Sequence, residues 1–165
     1  MRYFYISYFA IRKRQGFTLM ELLLVIAIIA VLATVSVLNL NGRRAHTELD
    51  GTAKQIASIL REAEGRAVSQ DSGASWGVHF ENAAAGGFFA LYATSYAPNA
   101  TRSYSRLPVS VRYAPASIPV GNSVDVAFAQ ITGLPSGAAS VTVESIGGTS
   151  ESMTVTVGAN GLVSI

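Results

Sequence analysis

The chain has 165 residues, 12 Lys+Arg against 10 Asp+Glu, and is 50% hydrophobic. It contains no cysteine and only two histidines, His46 and His79, which excludes a disulfide scaffold, a thiolate metal site and a cysteine nucleophile and leaves little for a histidine-based metal site. The length suits one ordinary domain, or one domain with an appendage.

The net charge of +2 is unevenly spread. Arg2, Arg12, Lys13 and Arg14 all fall within residues 1–16, with no acid among them. Without those four, eight basic residues face ten acids, a formal −2. The basic excess therefore belongs to a short leader, and the remainder is mildly acidic.

Next comes Phe17-Thr18-Leu19-Met20-Glu21, and then Leu22 to Asn41 without a charged residue. A bilayer core requires about 20 apolar residues as helix. A buried helix of a soluble protein would carry a polar stripe, and Leu22–Ala33 has none. The pattern predicts a membrane-spanning helix. Two plainer readings are a secretory signal peptide and a simple signal anchor. A signal peptide needs its small cleavage-site residue after the apolar run, whereas Gly16 precedes it. Arg12-Lys13-Arg14 favour a cytoplasmic N-terminus; Arg43 and Arg44 oppose this but are diluted by Glu48 and Asp50.

Glu21 is the anomaly of this segment. An ionised carboxylate at membrane depth costs about 2.5–3.5 kcal/mol on insertion scales, so it persists where it has a partner. Cleavage after Gly16 would create an α-amino group on Phe17, with the charge and depth to pair with Glu21 of a neighbouring subunit. The plainer reading is an acid near the interface that snorkels into water.

Residues 14–33, Arg-Gln-Gly-Phe-Thr-Leu-Met-Glu-Leu-Leu-Leu-Val-Ile-Ala-Ile-Ile-Ala-Val-Leu-Ala, closely resemble the class III signal of type IV prepilins and type II secretion pseudopilins. The resemblance implies cleavage between Gly16 and Phe17 by a prepilin peptidase, N-methylation of Phe17 by the same enzyme, and a role for Glu21 in aligning each incoming subunit. Many major pilins have a proline partway along this segment; none occurs here. The predicted weak spot is instead Asn39-Leu40-Asn41-Gly42, since Asn and Gly are poor helix formers.

From Arg43 to Ser69 the pattern turns amphipathic. Leu49, Ala53, Ile56, Leu60, Ala63 and Ala67 recur at steps of three and four, one stripe along a helix. The stripe predicts packing against a globular domain rather than a free-standing coiled coil, and its alanines predict close approach to a sheet. Gly51 and Gly65 each cost about 1 kcal/mol of helix propensity. The helix is predicted to end near Gln70-Asp71-Ser72-Gly73. Leu60-Arg61-Glu62-Ala63-Glu64-Gly65-Arg66-Ala67 is similar, more loosely, to the run that closes this helix in GspH/FimT-type minor pilins.

From Ala74 onward, β-branched and alternating runs are separated by turn residues. The predicted strands are Ser75–Glu81, Gly87–Thr94, Val109–Tyr113, Ser123–Gln130, Ser140–Ser145, Met153–Val157 and Leu162–Ile165, with a turn at Gly147-Gly148 among others. Asn-Gly tolerates positive φ, so Ala159-Asn160-Gly161 predicts a hairpin joining the last two strands. Strands in this number suggest two small antiparallel sheets wrapped on a helix, as in the GspH/FimT-type head. Trp76 and the Phe88-Phe89 pair are expected as core anchors, and His79, alternating with Trp76, Val78 and Phe80, as structural. Neither a Gly-x-Ser-x-Gly elbow nor a phosphate loop in strand–helix context is legible. The expectation is a protein with no catalytic residue, cofactor or metal. Asn99-Ala100-Thr101 matches a glycosylation sequon by pattern alone.

No acid lies between Glu81 and Asp125, where Arg102, Arg106 and Arg112 are interleaved with Tyr96, Tyr104 and Tyr113. Arginine with aromatics suits phosphate contacts and base stacking. Arg102, Arg106, Arg112 and Tyr104 are therefore candidate DNA contacts, as expected of a minor pilin used in DNA uptake. The plainer reading is a solvated loop and an edge strand kept from aggregating by its arginines.

The chain thus reads as an α+β protein: a cleaved leader over 1–16, a transmembrane and assembly helix over 17–41, its amphipathic continuation over 42–72, and a β-rich head over 73–165. The resemblance implies a structural subunit of a type IV pilus or type II secretion pseudopilus, a minor subunit in the favoured reading and a major pilin in the alternative. Its partners would be the prepilin peptidase/N-methyltransferase, other pilin or pseudopilin subunits, the inner-membrane assembly platform, membrane lipid before assembly and, in the alternative reading, DNA. It would cross the cytoplasmic membrane once, N-terminus inside and head outside, before joining the filament.

Overall fold

The computed structural model describes residues 16–146 and 151–165, without the side chains of residues 35–43. The leader cations Arg2, Arg12, Lys13 and Arg14, and the Gly147-Gly148 turn, lie outside the described residues. The chain divides into two compact units, Met1–Asn39 and Leu40–Ile165. The protein is α+β: an N-terminal helix, α1 (Leu19–Val68), is followed by antiparallel strands. Helical backbone includes Asn39-Leu40-Asn41-Gly42, the predicted weak spot, where the side chains fall outside those described.

In the second unit, the helical residues Leu49, Ala53, Ile56, Leu60, Ala63 and Ala67 are all buried. Their spacing brings them to one face, and Thr52, Ala57 and Ile59 broaden that face. Gly51 and Gly65 are exposed, so no packed side chain is forgone there. Burial of each large aliphatic side chain contributes about 1.5–3 kcal/mol, which offsets the propensity lost at the two glycines. The helix closes with the Ser69 amide donating to the Gly65 carbonyl at 2.9 Å. Gln70 then turns left-handed at φ 57°, and a short 3-10 turn covers Asp71–Gly73, where the sequence predicts the end.

The described residues hold eight strands: β1 (Trp76–Ala83), β2 (Gly86–Ala93), β3 (Ser103–Arg106), β4 (Val111–Tyr113), β5 (Ser123–Phe128), β6 (Ala139–Ser145), β7 (Ser152–Val157) and β8 (Val163–Ser164). They form two sheets ordered β3-β2-β1-β5 and β4-β6-β7-β8, antiparallel at every pairing. Trp76, Val78, Phe80, Phe89, Leu91, Val126 and Phe128 of the first sheet join Val141, Val143, Val155, Val157 and Val163 of the second, with the helix stripe, in one buried cluster. Polar ties fasten α1 to both sheets. Gln55 Nε2 donates to Ser105 Oγ at 3.0 Å, and Arg61 Nη2 donates to the Val163 carbonyl at 2.9 Å. His46 Nδ1 lies 2.7 Å from Glu151 Oε2, and the Ser110 hydroxyl donates to Glu48.

Several sequence expectations are corrected in detail. β3 lies where no strand is predicted: Ser103-Tyr104-Ser105-Arg106 has a weak β pattern and is recruited by pairing with β2. β4 is shorter than the predicted Val109–Tyr113, with Val109 97% exposed. Phe89 is a core anchor, but Phe88 points to the opposite face of β2 and is only half-buried. The last two strands pair antiparallel as expected, yet only Gly161 takes positive φ, at 85°. Asn160 contributes through its side chain, its Oδ1 accepting from the Leu162 amide at 3.1 Å.

Candidate assembly segment and the outer face of the head

The first unit presents its chemistry at the start of α1. Thr18 Oγ1 accepts from the Glu21 amide at 3.2 Å, and the Thr18 carbonyl accepts from the Leu22 amide at 3.2 Å. Thr18 thus caps the helix, satisfying one of its orphan amides. Glu21 falls in the first turn, where a carboxylate also complements the helix dipole. Thr18 and Glu21 have the spacing of a capping box. Gly16, Phe17, Thr18 and Glu21 line one open depression, with Phe17 80% exposed. Every described side chain from Gly16 to Thr34 is exposed, including Leu22, Leu23, Leu24, Ile26, Ile28 and Ile29. Among the described residues no helix is long and apolar enough to cross a membrane; the charge-free run continues past Thr34 into residues whose side chains are not described.

Residues 11–37 match the family model of the prokaryotic N-terminal methylation motif. This motif supports a type IV pilin-like protein. It implies processing by a prepilin peptidase and assembly with other pilins, and its family is structural rather than catalytic. The match covers the basic N-terminal stretch and the apolar segment and does not reach the head. No curated protein and no solved structure matches the chain.

On the head, the candidate basic residues divide between the two sheets. Arg106 ends β3, its guanidinium carbon 5.9 Å from the ring centre of Tyr104, within range of a cation–π contact. Tyr104 is 49% exposed and lies 4.9 Å from the Phe88 ring. Arg102 is exposed on the connection before β3, its amide donating to the Leu91 carbonyl at 2.8 Å. Arg112 belongs to the other sheet, where its Nε donates to Glu144 Oε1 at 2.7 Å. Arg106 and Arg112 nonetheless line one cavity, of about 480 Å³, beside the β1–β2 turn and Leu107, Pro108 and Val109. Arg102 and Tyr104 are not part of that lining.

A second cluster occupies the outer face of the first sheet and centres on His79. Alternation places His79 opposite Trp76, Val78 and Phe80. In register it lies between Ala90 of β2 and Asp125 of β5. Its Nδ1 is 2.9 Å from Asp125 Oδ1 and its Nε2 3.4 Å from Glu81 Oε2. The Tyr96 ring stacks on the imidazole at 3.6 Å between centres and 7° between planes. Tyr92 is buried beside the cluster. Its phenol is pushed up to about 12 by burial, then by the charge of Asp125 and a hydrogen bond to that carboxylate. The Tyr92 ring lies across Gly77, where a Cβ would come within 2.6 Å of the hydroxyl; glycine is what permits the approach. Sequence reasoning found His79 but not its partners, because the carboxylate on Nδ1 comes from a strand 46 residues away.

Proposed function

We propose that the chain is a prepilin-like structural subunit, a minor pilin or pseudopilin of the GspH/FimT type, cut between Gly16 and Phe17 and N-methylated on Phe17. The supporting observation is the charge-free part of α1 from Leu22 to Thr34, apolar but for Thr34 and exposed on every face. Such a helix is stable only in lipid or packed against other apolar helices. In this reading residues 1–16 are the leader, 17–41 the assembly helix, 42–72 its amphipathic continuation and 73–165 the head. The helix crosses the cytoplasmic membrane once, N-terminus inside, until the inner-membrane assembly platform transfers it from lipid into the filament.

Glu21 pairs with the Phe17 amine of the adjacent subunit and sets the register, while helix packing supplies most of the assembly energy. Glu21→Ala tests this. The variant is expected to be processed normally but absent from sheared filaments, and wild-type incorporation would overturn the role given to Glu21.

A second reading, a head that binds DNA during uptake, is favoured by one observation, Arg106 over the half-exposed ring of Tyr104. Arginine above a ring can hold a phosphate while the ring stacks on a base. Gel shifts of the full-length protein in detergent test it. Arg102→Ala/Arg106→Ala is expected to abolish low-salt binding, with a smaller loss for Arg112→Ala, whose guanidinium is paired with Glu144. Unchanged binding in the double variant would remove the reading.

A further inference from the structure

His79 has a carboxylate at each ring nitrogen: Asp125 at Nδ1 and Glu81 at Nε2. A neutral imidazole carries one N–H donor and one lone pair, and ionised carboxylates only accept. With His79 neutral, one of the two contacts therefore sets a lone pair against a carboxylate. With His79 protonated, both contacts become charge-assisted hydrogen bonds. The side chain of His79 is 6% exposed, so water has little access to relieve the mismatch. The two carboxylates sit at the rim of the cluster, 48% and 36% exposed.

The group that roofs the imidazole is on a loop. Tyr96 belongs to the connection between β2 and β3. This connection is tied at one end by the Thr94 amide on the Ser75 carbonyl (2.7 Å) and at the other by the Arg102 amide on the Leu91 carbonyl. Thr94 enters it in the left-handed region at φ 69°, a conformation that a β-branched residue holds only at a cost. The stack on His79 and the edge contact with Tyr92 at 6.2 Å are the ring contacts of Tyr96.

We propose that His79 is a proton-dependent latch for the 94–102 loop. Protonated, it is drawn between Glu81 and Asp125 and offers Tyr96 a fixed cationic surface, which strengthens the stack. Deprotonated, it is repelled by one carboxylate, and the loop carrying Tyr96 and Arg102 loosens. The ionisable and charged groups facing the imidazole are Glu81 on its own strand, Asp125 on β5, Tyr92 on β2 and Tyr96 on the loop. Tyr104 and Arg106 lie further out, beyond Phe88, whose ring is 6.0 Å from that of His79. Tyr96 is shifted up by burial, then by Glu81, Tyr104 and Asp125, and Tyr92 is also raised, so both remain neutral phenols below about pH 10 and His79 is the group in the cluster whose charge the latch turns on.

The absence of cysteine allows a single nitroxide label on exposed Asn99 through Asn99→Cys in the full-length chain in detergent. The label is expected to tumble about two- to tenfold more slowly at about pH 5.5 than at about pH 8. Adding His79→Gln should abolish that difference. Glu81→Gln serves as a second arm at a half-exposed position and should behave differently. The glutamine amide can donate to a neutral Nε2, so the loop should stay immobile at both pH values. An equal label mobility across pH in Asn99→Cys alone, a pH response surviving His79→Gln, or an unchanged response in Glu81→Gln would each overturn the latch.

Discussion

The Tyr113 hydroxyl donates to the Phe88 carbonyl at 2.9 Å, joining a strand of the second sheet to a strand of the first. Tyr113 is fully buried, meets Phe80 edge-on at 6.3 Å between ring centres, and lies over Gly87, where a Cβ would approach its ring within 2.8 Å. One side chain thus supplies core volume, a ring contact and the hydrogen bond across the seam between the sheets.

Tyr113→Phe keeps the ring and removes the bond, at an expected cost of about 1 kcal/mol. Tyr113→Ala leaves a cavity as well, at about 3–5 kcal/mol. Gly87→Ala pushes a methyl into Tyr113 and Leu107 and is expected to cost about 1–3 kcal/mol. Urea denaturation of the three variants, followed by Trp76 fluorescence, orders them. A neutral Gly87→Ala would show that the ring can shift without loss.

Stability at high pH is expected to depend on Tyr92. Its phenol keeps its proton up to about 12 in the folded protein, against 10.0 for an ordinary tyrosine. The unfolded chain ionises first, so the contribution is complete below about pH 10 and is lost as pH rises toward about 12. Tyr113, raised by burial, acts with the same sign. Denaturation midpoints measured between pH 9 and 12 should fall steeply in the wild type and less steeply in Tyr92→Phe. Parallel profiles would show that Tyr92 is not a source of the alkaline loss.

Processing tests the leader independently of assembly. A bulky residue at Gly16, such as Gly16→Trp, is expected to leave the precursor uncut, seen as an unshifted band and an unmodified Phe17 by mass spectrometry. Gly16→Ala is a weaker test, because a side chain as small as methyl is expected to permit cutting. Normal maturation of the tryptophan variant would exclude cleavage after Gly16.

Much of the fold was legible because its signals are local. The stripe from Leu49 to Ala67 follows helical periodicity, and the observed helix buries each member. Most strands lie within a residue or two of their predicted limits, since β-branched runs bounded by Gly and Pro carry their own punctuation. β3 was not legible, because Ser103–Arg106 becomes a strand only through its pairing with Phe88–Leu91. The separation of Arg112 from Tyr104 was equally hidden. The two lie close in sequence but in different sheets, and Glu144 reaches Arg112 from a strand 32 residues away.

By itself the sequence determined the N-terminal motif, the charge-free helix and the order of helix before strands, because each depends on residues adjacent or one turn apart. Only the tertiary structure decided which polar groups meet. Strand register sets His79 against Asp125 and turns Phe88 away from the core, and a glycine at position 77 lets Tyr92 reach across. Such contacts depend on pairing between distant segments, and a shift of one residue in that pairing would send every one of these side chains to the other face.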